Sequence, residues 1–437
     1  MNGLRQSLKQ TWEDARRQPA FTGLYVGGVA IAIAFVMIFA MIYYVKLAPV
    51  YPEYNRPGTL YMNYVGYEMT GENRMSCSSC VGYPFFRDYL SQVENAEAVS
   101  AAAYSSGTDF IGTVDGSRRF EVELKGVDPA FFRIYEFGIV AGKPFTDADL
   151  NSAVPACVLS HRMAERLFGA PEAAVGKEVD INDVVFRVAG VVKEGSVLTP
   201  RSFAQVYTPY TTVPGYDLTS CDEPYLGALE VRFLVKDDDH AEALRGEIAD
   251  IVRRINAADT TGVVSLADQP VTHFKSVFLD YNNEEVTWAD IVKKFTVILL
   301  VLLLVPTINL GGMIAGRMET RLSEMGIRKS FGATRRRLLS QVLAENFYMT
   351  LAGGLLGLVA AWLVLFVNRS WIYNIMTRFS DIPANTVTTE VSGEMLFAPV
   401  VFAATLLLCM TLNLLSALVP AWWSLRHPIV SSLNEKR

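Results

Sequence analysis

The chain has 437 residues, 51% of them hydrophobic, with a formal net charge of −6 and a mean hydropathy of +0.24. These values are too apolar for an ordinary soluble chain and too polar for a polytopic helical bundle alone. A membrane protein carrying a sizeable soluble domain satisfies both.

From the N-terminus, Leu4, Leu8, Trp12 and Ala15 recur three or four apart, while Arg5, Lys9, Arg16 and Arg17 fall mostly elsewhere on the wheel. This predicts a cytoplasmic interfacial amphipathic helix over 1–20, stopped by Pro19. Residues 21–45 carry no charge and run longer than the h-region of a cleaved signal peptide. They are expected to be a retained first span.

Residues 46–290 read as a mixed α+β domain. Period-two alternation predicts strands over 120–125, 184–192 and 229–235. Helical periodicity covers 83–93, 161–168 and 240–255, the last preceded by Asp237, Asp238 and Asp239, which suit the positive end of a helix dipole. The length suffices for two small subdomains, with the inner one inserted at about 105–205.

A second span is expected over 291–316, a cytoplasmic segment over 317–342, a third span over 343–368, a short outer loop over 369–394, a fourth span over 395–423 and a tail over 424–437. The third span carries only Glu345 as a charge. The pairs Gly23/Gly27, Gly312/Gly316 and Gly353/Gly357 have the small-xxx-small spacing that lets helices approach closely in lipid.

Loop charge sets the orientation. The N-terminus, the middle segment and the tail hold 14 basic side chains against five acidic ones, a net of +9, so the remainder sums to −15. By the positive-inside rule these three segments are cytoplasmic and the 46–290 domain is outside. An acidic outer domain argues against a nucleic-acid partner.

The middle segment is the most informative. Residues 319–331 can form a helix, with Gly332 as its C-terminal cap and Thr334 as N-cap of a new helix entering the third span. Glu324, Arg328 and Phe331 share one face, with Ile327 and Lys329 to either side.

At these residues the chain resembles the MacB/FtsX family of ABC-transporter permeases. The run Glu324-Met-Gly-Ile-Arg-Lys-Ser-Phe-Gly-Ala333, followed by Glu345, matches the family's coupling-helix signature. In the outer domain, Gly126-Val-Asp-Pro-Ala-Phe-Phe132, Gly142-Lys-Pro-Phe145, Ala164-Glu-Arg-Leu-Phe168, Gly176-Lys177 and Phe186-Arg-Val-Ala-Gly-Val-Val192 look like macrolide-exporter-type permeases. Pro420-Ala421 and Pro428 also fit. The pair Ser330-Phe331 departs from the small-plus-aliphatic pair expected there.

The resemblance implies a multi-pass inner-membrane permease of four transmembrane helices plus a large periplasmic α+β domain of two subdomains, with both termini cytoplasmic. Glu324, Gly326, Ile327, Arg328, Lys329 and Gly332 would couple to a cytoplasmic ABC ATPase. No G-x-x-x-x-G-K-[ST] phosphate loop is present, so ATP and Mg are expected on that separate partner chain, with no cofactor held by this one. A second permease copy or paralogue would complete a dimer, in contact with membrane lipid and with a periplasmic adaptor. The expected function is export of hydrophobic or peptide substrates by mechanotransmission. Rival readings are lipoprotein release, FtsX-like control of a cell-wall hydrolase, a signalling receptor, and a thiol oxidoreductase using Cys77 and Cys80.

Cys77, Cys80, Cys157 and Cys221 all lie in the outer domain, where disulfides persist, and allow three full pairings. Gly82 and Pro84 directly after Cys80 read as a loop rather than the strand-to-helix turn of a redox site. His161, His240, His273 and His427 have no metal-ligand spacing, so no metal site is expected.

Overall fold

The computed structural model describes residues 12–13, 16–70, 75–104, 107–278, 287–293, 296–298, 300, 312, 327–328, 330–367, 395 and 398–426. The chain divides into two compact units. One comprises 1–44, 288–372 and 393–437, the other Val45–Thr287 with 373–392.

Helix α1 (Pro19–Leu47) opens the described chain. The outer unit follows with strands β1 (Thr59–Met62), β2 (Val65–Met69) and β3 (Ser76–Val81), helix α2 (Tyr83–Asp88), and strands β4 (Ala98–Tyr104), β5 (Asp109–Thr113), β6 (Arg119–Val122) and β7 (Leu124–Val127). Next come α3 (Phe131–Ile134), β8 (Ile139–Gly142), α4 (Asp147–Asn151), β9 (Ala156–Ser160), α5 (His161–Phe168), β10 (Glu178–Ile181), β11 (Val184–Val192) and β12 (Val206–Pro209). The unit closes with β13 (Leu226–Gly227), β14 (Leu229–Leu234), α6 (Asp238–Ala258), β15 (Gly262–Ser265), β16 (Val271–Thr272) and α7 (His273–Ser276).

These strands join in the order β15-β2-β3-β14-β4-β7-β12-β9-β11-β10-β5-β6, with β1 bridging β14 and β16. Most pairs are antiparallel; β11 with β9 and β12 with β7 are parallel. Parallel neighbours need a crossover, and α5 lies within the one between β9 and β11. One apolar core gathers Met62, Tyr67, Phe85, Leu229 and Phe233 under the buried stripe Ala241, Leu244, Ile248, Ile251 and Ile255 of α6. That stripe recurs three or four apart, which is why the segment is a helix. Asp237 caps it, its side chain accepting from the His240 amide. A second core packs Met163, Ala164 and Leu167 of α5 against Ile111, Val179 and Val188.

Two local expectations are corrected. The single strand expected at 120–125 is two strands, β6 and β7, broken at Glu123. There the chain leaves β5 and turns to pair with β4 and β12, and Gln205 satisfies the break, its Oε1 accepting from Glu123 N at 3.2 Å and its own amide donating to Glu123 O at 2.9 Å. Cys77 and Cys80 lie in strand β3 rather than a loop, because β2, β13 and β14 pair with it.

In the other unit, α8 (Arg335–Val367) and α9 (Pro399–Arg426) pack with α1 through Tyr25, Val29, Ile33, Val342, Met349 and Ala417. Pro19–Leu47, Arg335–Val367 and Pro399–Leu418 are long and apolar enough to cross a bilayer. They coincide with the expected first, third and fourth spans. Most of the expected second span lies outside the described residues, as do the whole 369–394 loop and most of the N-terminal amphipathic helix.

Candidate functional site

The turn that ends at Gly332 is built by a C-cap. Phe331 N donates to Ile327 O at 3.2 Å and Ala333 N donates to Arg328 O at 3.0 Å, the six-to-one bond of a Schellman ending. Gly332 has φ +88°, which a β-carbon makes costly. Thr334 restarts the helix: its Oγ1 accepts from Arg337 N at 3.4 Å and its carbonyl from Leu338 N at 3.2 Å. The turn shows apolar side chains to solvent, with Phe331 87% and Ile327 48% exposed. Arg328 is half-buried, and its Nη1 donates to Gln341 Oε1 on α8 at 2.9 Å. Ile327, Arg328 and Gly332 are thus brought together, while Glu324, Gly326 and Lys329 lie outside the described residues.

Close packing carries α8 past α1. A β-carbon on Gly353 would sit 2.8 Å from Val26 O, and one on Gly357 2.5 Å from Ala30 O. The Gly353/Gly357 spacing therefore serves a helix contact, while a β-carbon on Gly23 or Gly27 of α1 would meet no described atom within 4 Å beyond its own helix backbone. Inside this bundle, Asn413 Nδ2 donates to Thr350 Oγ1 at 2.7 Å and to Tyr25 Oη at 3.3 Å. Tyr25 and Thr350 also bond each other at 3.3 Å. One residue from each of three helices thus meets in a polar node.

The outer unit holds a second constellation that sequence reasoning missed. Arg56 is only 3% exposed; its Nη1 donates to Val45 O at 2.7 Å and Ala48 O at 2.5 Å, and its Nε to Glu53 Oε2 at 2.8 Å. The other Glu53 oxygen accepts from Ser202 N at 3.0 Å and Ser202 Oγ at 2.8 Å. His273 Nε2 bonds Lys46 O at 2.8 Å. The carbonyls of 45, 46 and 48, orphaned where a helix ends, are thereby satisfied by Arg56 and by a histidine 227 residues on.

Electrostatics follow from this burial. Desolvation opposes the Glu53 charge, but Arg56, His273 and Ser202 outweigh it and hold the carboxyl down to about 2. Burial and the Arg56 charge push His273 down to about 4, so at neutral pH it is uncharged and donates from Nε2. Nearby, Lys125 Nζ donates to the carbonyls of Pro200 and Arg201, and burial lowers it to about 8. Asp128, within the 126–132 string, accepts from Ser100 Oγ at 2.7 Å, Ala101 N at 2.8 Å and Phe131 N at 2.9 Å. Burial nonetheless raises it to about 6. That string runs from the end of β7 through a turn into α3.

Among the outer cysteines, Cys77 is bonded to Cys221, while Cys80 and Cys157 are free thiols. Cys77 therefore does not pair with Cys80, and burial pushes the Cys80 thiol up to about 12, away from a reactive thiolate. Among the described residues no cluster of His, Cys, Asp and Glu could hold a metal ion.

Three helices long and apolar enough to cross a membrane, a turn capped at Gly332 and a large α+β unit are the architecture of a membrane permease that carries a folded domain beside its spans. The chain belongs to the MacB/FtsX-type ABC transporter permeases: a MacB-like periplasmic core domain matches 22–251 and an FtsX-like permease C-terminal domain matches 296–429. It is 26% identical over 260 residues to the macrolide export ATP-binding/permease protein MacB of Shewanella sp. (strain ANA-3), covering 57% of this chain and 36% of that one. It is also 26% identical over 254 residues to the uncharacterized ABC transporter permease YknZ of Bacillus subtilis (strain 168), covering 54% and 56%. The matches thus span about a third to a half of those relatives' lengths. The periplasmic region of MacB from Actinobacillus actinomycetemcomitans aligns with 48% of this chain and 91% of its own, at 19% identity and TM-score 0.32.

Proposed function

We propose that this chain is the permease subunit that transmits ATP-driven motion from a separate cytoplasmic ATPase to its periplasmic domain, exporting hydrophobic or peptide substrates by mechanotransmission. It is not itself an enzyme on this reading. The ATPase holds the nucleotide and Mg, a second permease copy or paralogue completes the assembly, and both termini are cytoplasmic. Glu324, Gly326, Ile327, Arg328, Lys329 and Gly332 form the coupling surface, and the domain bounds follow those expected from sequence.

The observation that carries this reading is the turn before α8. A loop that merely fixed topology would not need a left-handed glycine cap, a restarted helix and two exposed apolar side chains beside a pinned arginine. Together these make a small rigid knob suited to a groove. Substituting Ile327→Asp and Phe331→Asp tests it. A stand-alone ABC ATPase co-expressed with this chain should co-purify with the wild type and be lost at least tenfold from the double variant. Equal capture by both would refute the coupling role.

A further inference from the structure

The buried face of α8 is not uniformly apolar. Leu338, Val342 and Met349 share it with Glu345, Asn346 and Thr350, each buried. At the helical rise, Glu345 lies about 12 Å along the axis beyond Arg337. A carboxylate so far into a span is costly, and is kept where it has a partner and a task.

One of its partners is Gln341, one turn earlier, whose Nε2 donates to Glu345 Oε1 at 3.4 Å. The opposite end of the same amide, Oε1, accepts from Arg328 Nη1. A guanidinium only donates and a carboxylate accepts, so an amide is suited to stand between them in this order. Thr350, five residues beyond Glu345 on α8, is the member of the polar node that receives Asn413 and Tyr25. Buried polar side chains of α8 thus lie both beside the Gly332 turn and where three helices meet.

We propose that Gln341 and Glu345 are positioning residues for coupling: they fix the Ile327-to-Gly332 turn to α8, so that displacing the turn moves the helix. This deepens the coupling role proposed above and rests on it. The Arg328–Gln341 bond joins two long side chains, each with rotamer freedom to lose. Anchoring the far end of the amide on Glu345 removes that rotamer freedom and makes the link stiff.

The first test follows hydrogen exchange of the full chain in lipid nanodiscs at the Phe331 and Ala333 amides, which close the turn. Gln341→Leu and Glu345→Leu should each raise exchange tenfold or more. Glu345→Gln keeps an acceptor oxygen and should stay within threefold of wild type. The second test adds the co-expressed ATPase and reads ATP-driven displacement between spin labels in the periplasmic domain. Both leucine variants should retain the ATPase at wild-type stoichiometry yet lose the displacement at least tenfold, and Glu345→Gln should keep it.

Unchanged exchange in both leucine variants overturns the proposal. So does a Glu345→Gln chain as impaired as Glu345→Leu, because the carboxylate charge and not the amide link would then matter. If the wild type captures no ATPase while exchange responds as expected, the coupling reading fails and the stiff link stands.

Discussion

Replacing Arg56 with methionine keeps most of the side-chain volume and removes the only described cation bonded to Glu53. Three charge-assisted hydrogen bonds disappear: two to the carbonyls of Val45 and Ala48 and one to Glu53. Glu53 is then left buried with Ser202 as its remaining hydrogen-bond partner. Bonds to charged groups contribute about 1.5–3 kcal/mol each, and breaking one side of a buried ion pair costs about 3–5 kcal/mol in total. We expect Arg56→Met to destabilise the outer unit by about 3–5 kcal/mol, which for a unit of this size lowers Tm by roughly 6–20 °C. Thermal unfolding of the full chain in detergent, followed by near-ultraviolet circular dichroism, measures it. Adding Glu53→Gln should recover part of the loss, since no uncompensated charge remains. A loss below 1 kcal/mol, or strict additivity of the two substitutions, would refute the account of this cluster.

The same cluster sets an acid limit: His273 falls from an ordinary 6.5 to about 4, so its contribution, about 3 kcal/mol, is present above pH 6.5 and lost as pH drops from 6.5 to 4. Glu53, held at about 2, adds a second loss only between pH 4.5 and 2, and His273→Gln should abolish the first step of a Tm-against-pH profile while sparing the second. Gly357→Ala forces a β-carbon to 2.5 Å from Ala30 O and should cost about 1–3 kcal/mol in detergent-titrated unfolding; less than 0.5 would mean that α1 and α8 separate freely. Gly332→Ala should cost about 1 kcal/mol at φ +88°, read as roughly fivefold faster exchange of the Phe331 and Ala333 amides. Thiol titration of the denatured chain should count three reactive cysteines before reduction and five after, and Cys77→Ser with Cys221→Ser should cost about 2–5 kcal/mol.

What could be read from sequence was what local periodicity writes. Strand β11 falls on the expected 184–192 and helix α5 on the expected 161–168, since each alternates or repeats with one dominant period. Gly332 and Thr334 announced the break before α8 because their residue types are needed at caps. The strand containing Cys77 and Cys80 was misread because Gly82 and Pro84 look like a turn, whereas they start α2 directly after the strand. The Arg56 cluster was illegible for a different reason. Glu53, Arg56, Ser202 and His273 are spread over 220 positions, and each alone resembles a surface residue. Only the fold makes them neighbours. Gln341 was equally silent: a polar residue near the start of a span looks like an interfacial one until its two partners are seen.

The bond between Cys77 and Cys221 has a use beyond holding β3 to the segment before β13. Its sulfurs are brought together by folding, but they remain joined only in a compartment that keeps thiols oxidised. A chain trapped with an alkylating agent straight from cells therefore carries a chemical record of which face of the membrane its large domain reached. Molecules inserted the wrong way round would surrender both thiols to the reagent. The correctly inserted ones would keep them hidden, a sidedness gauge independent of any count of lysines and arginines.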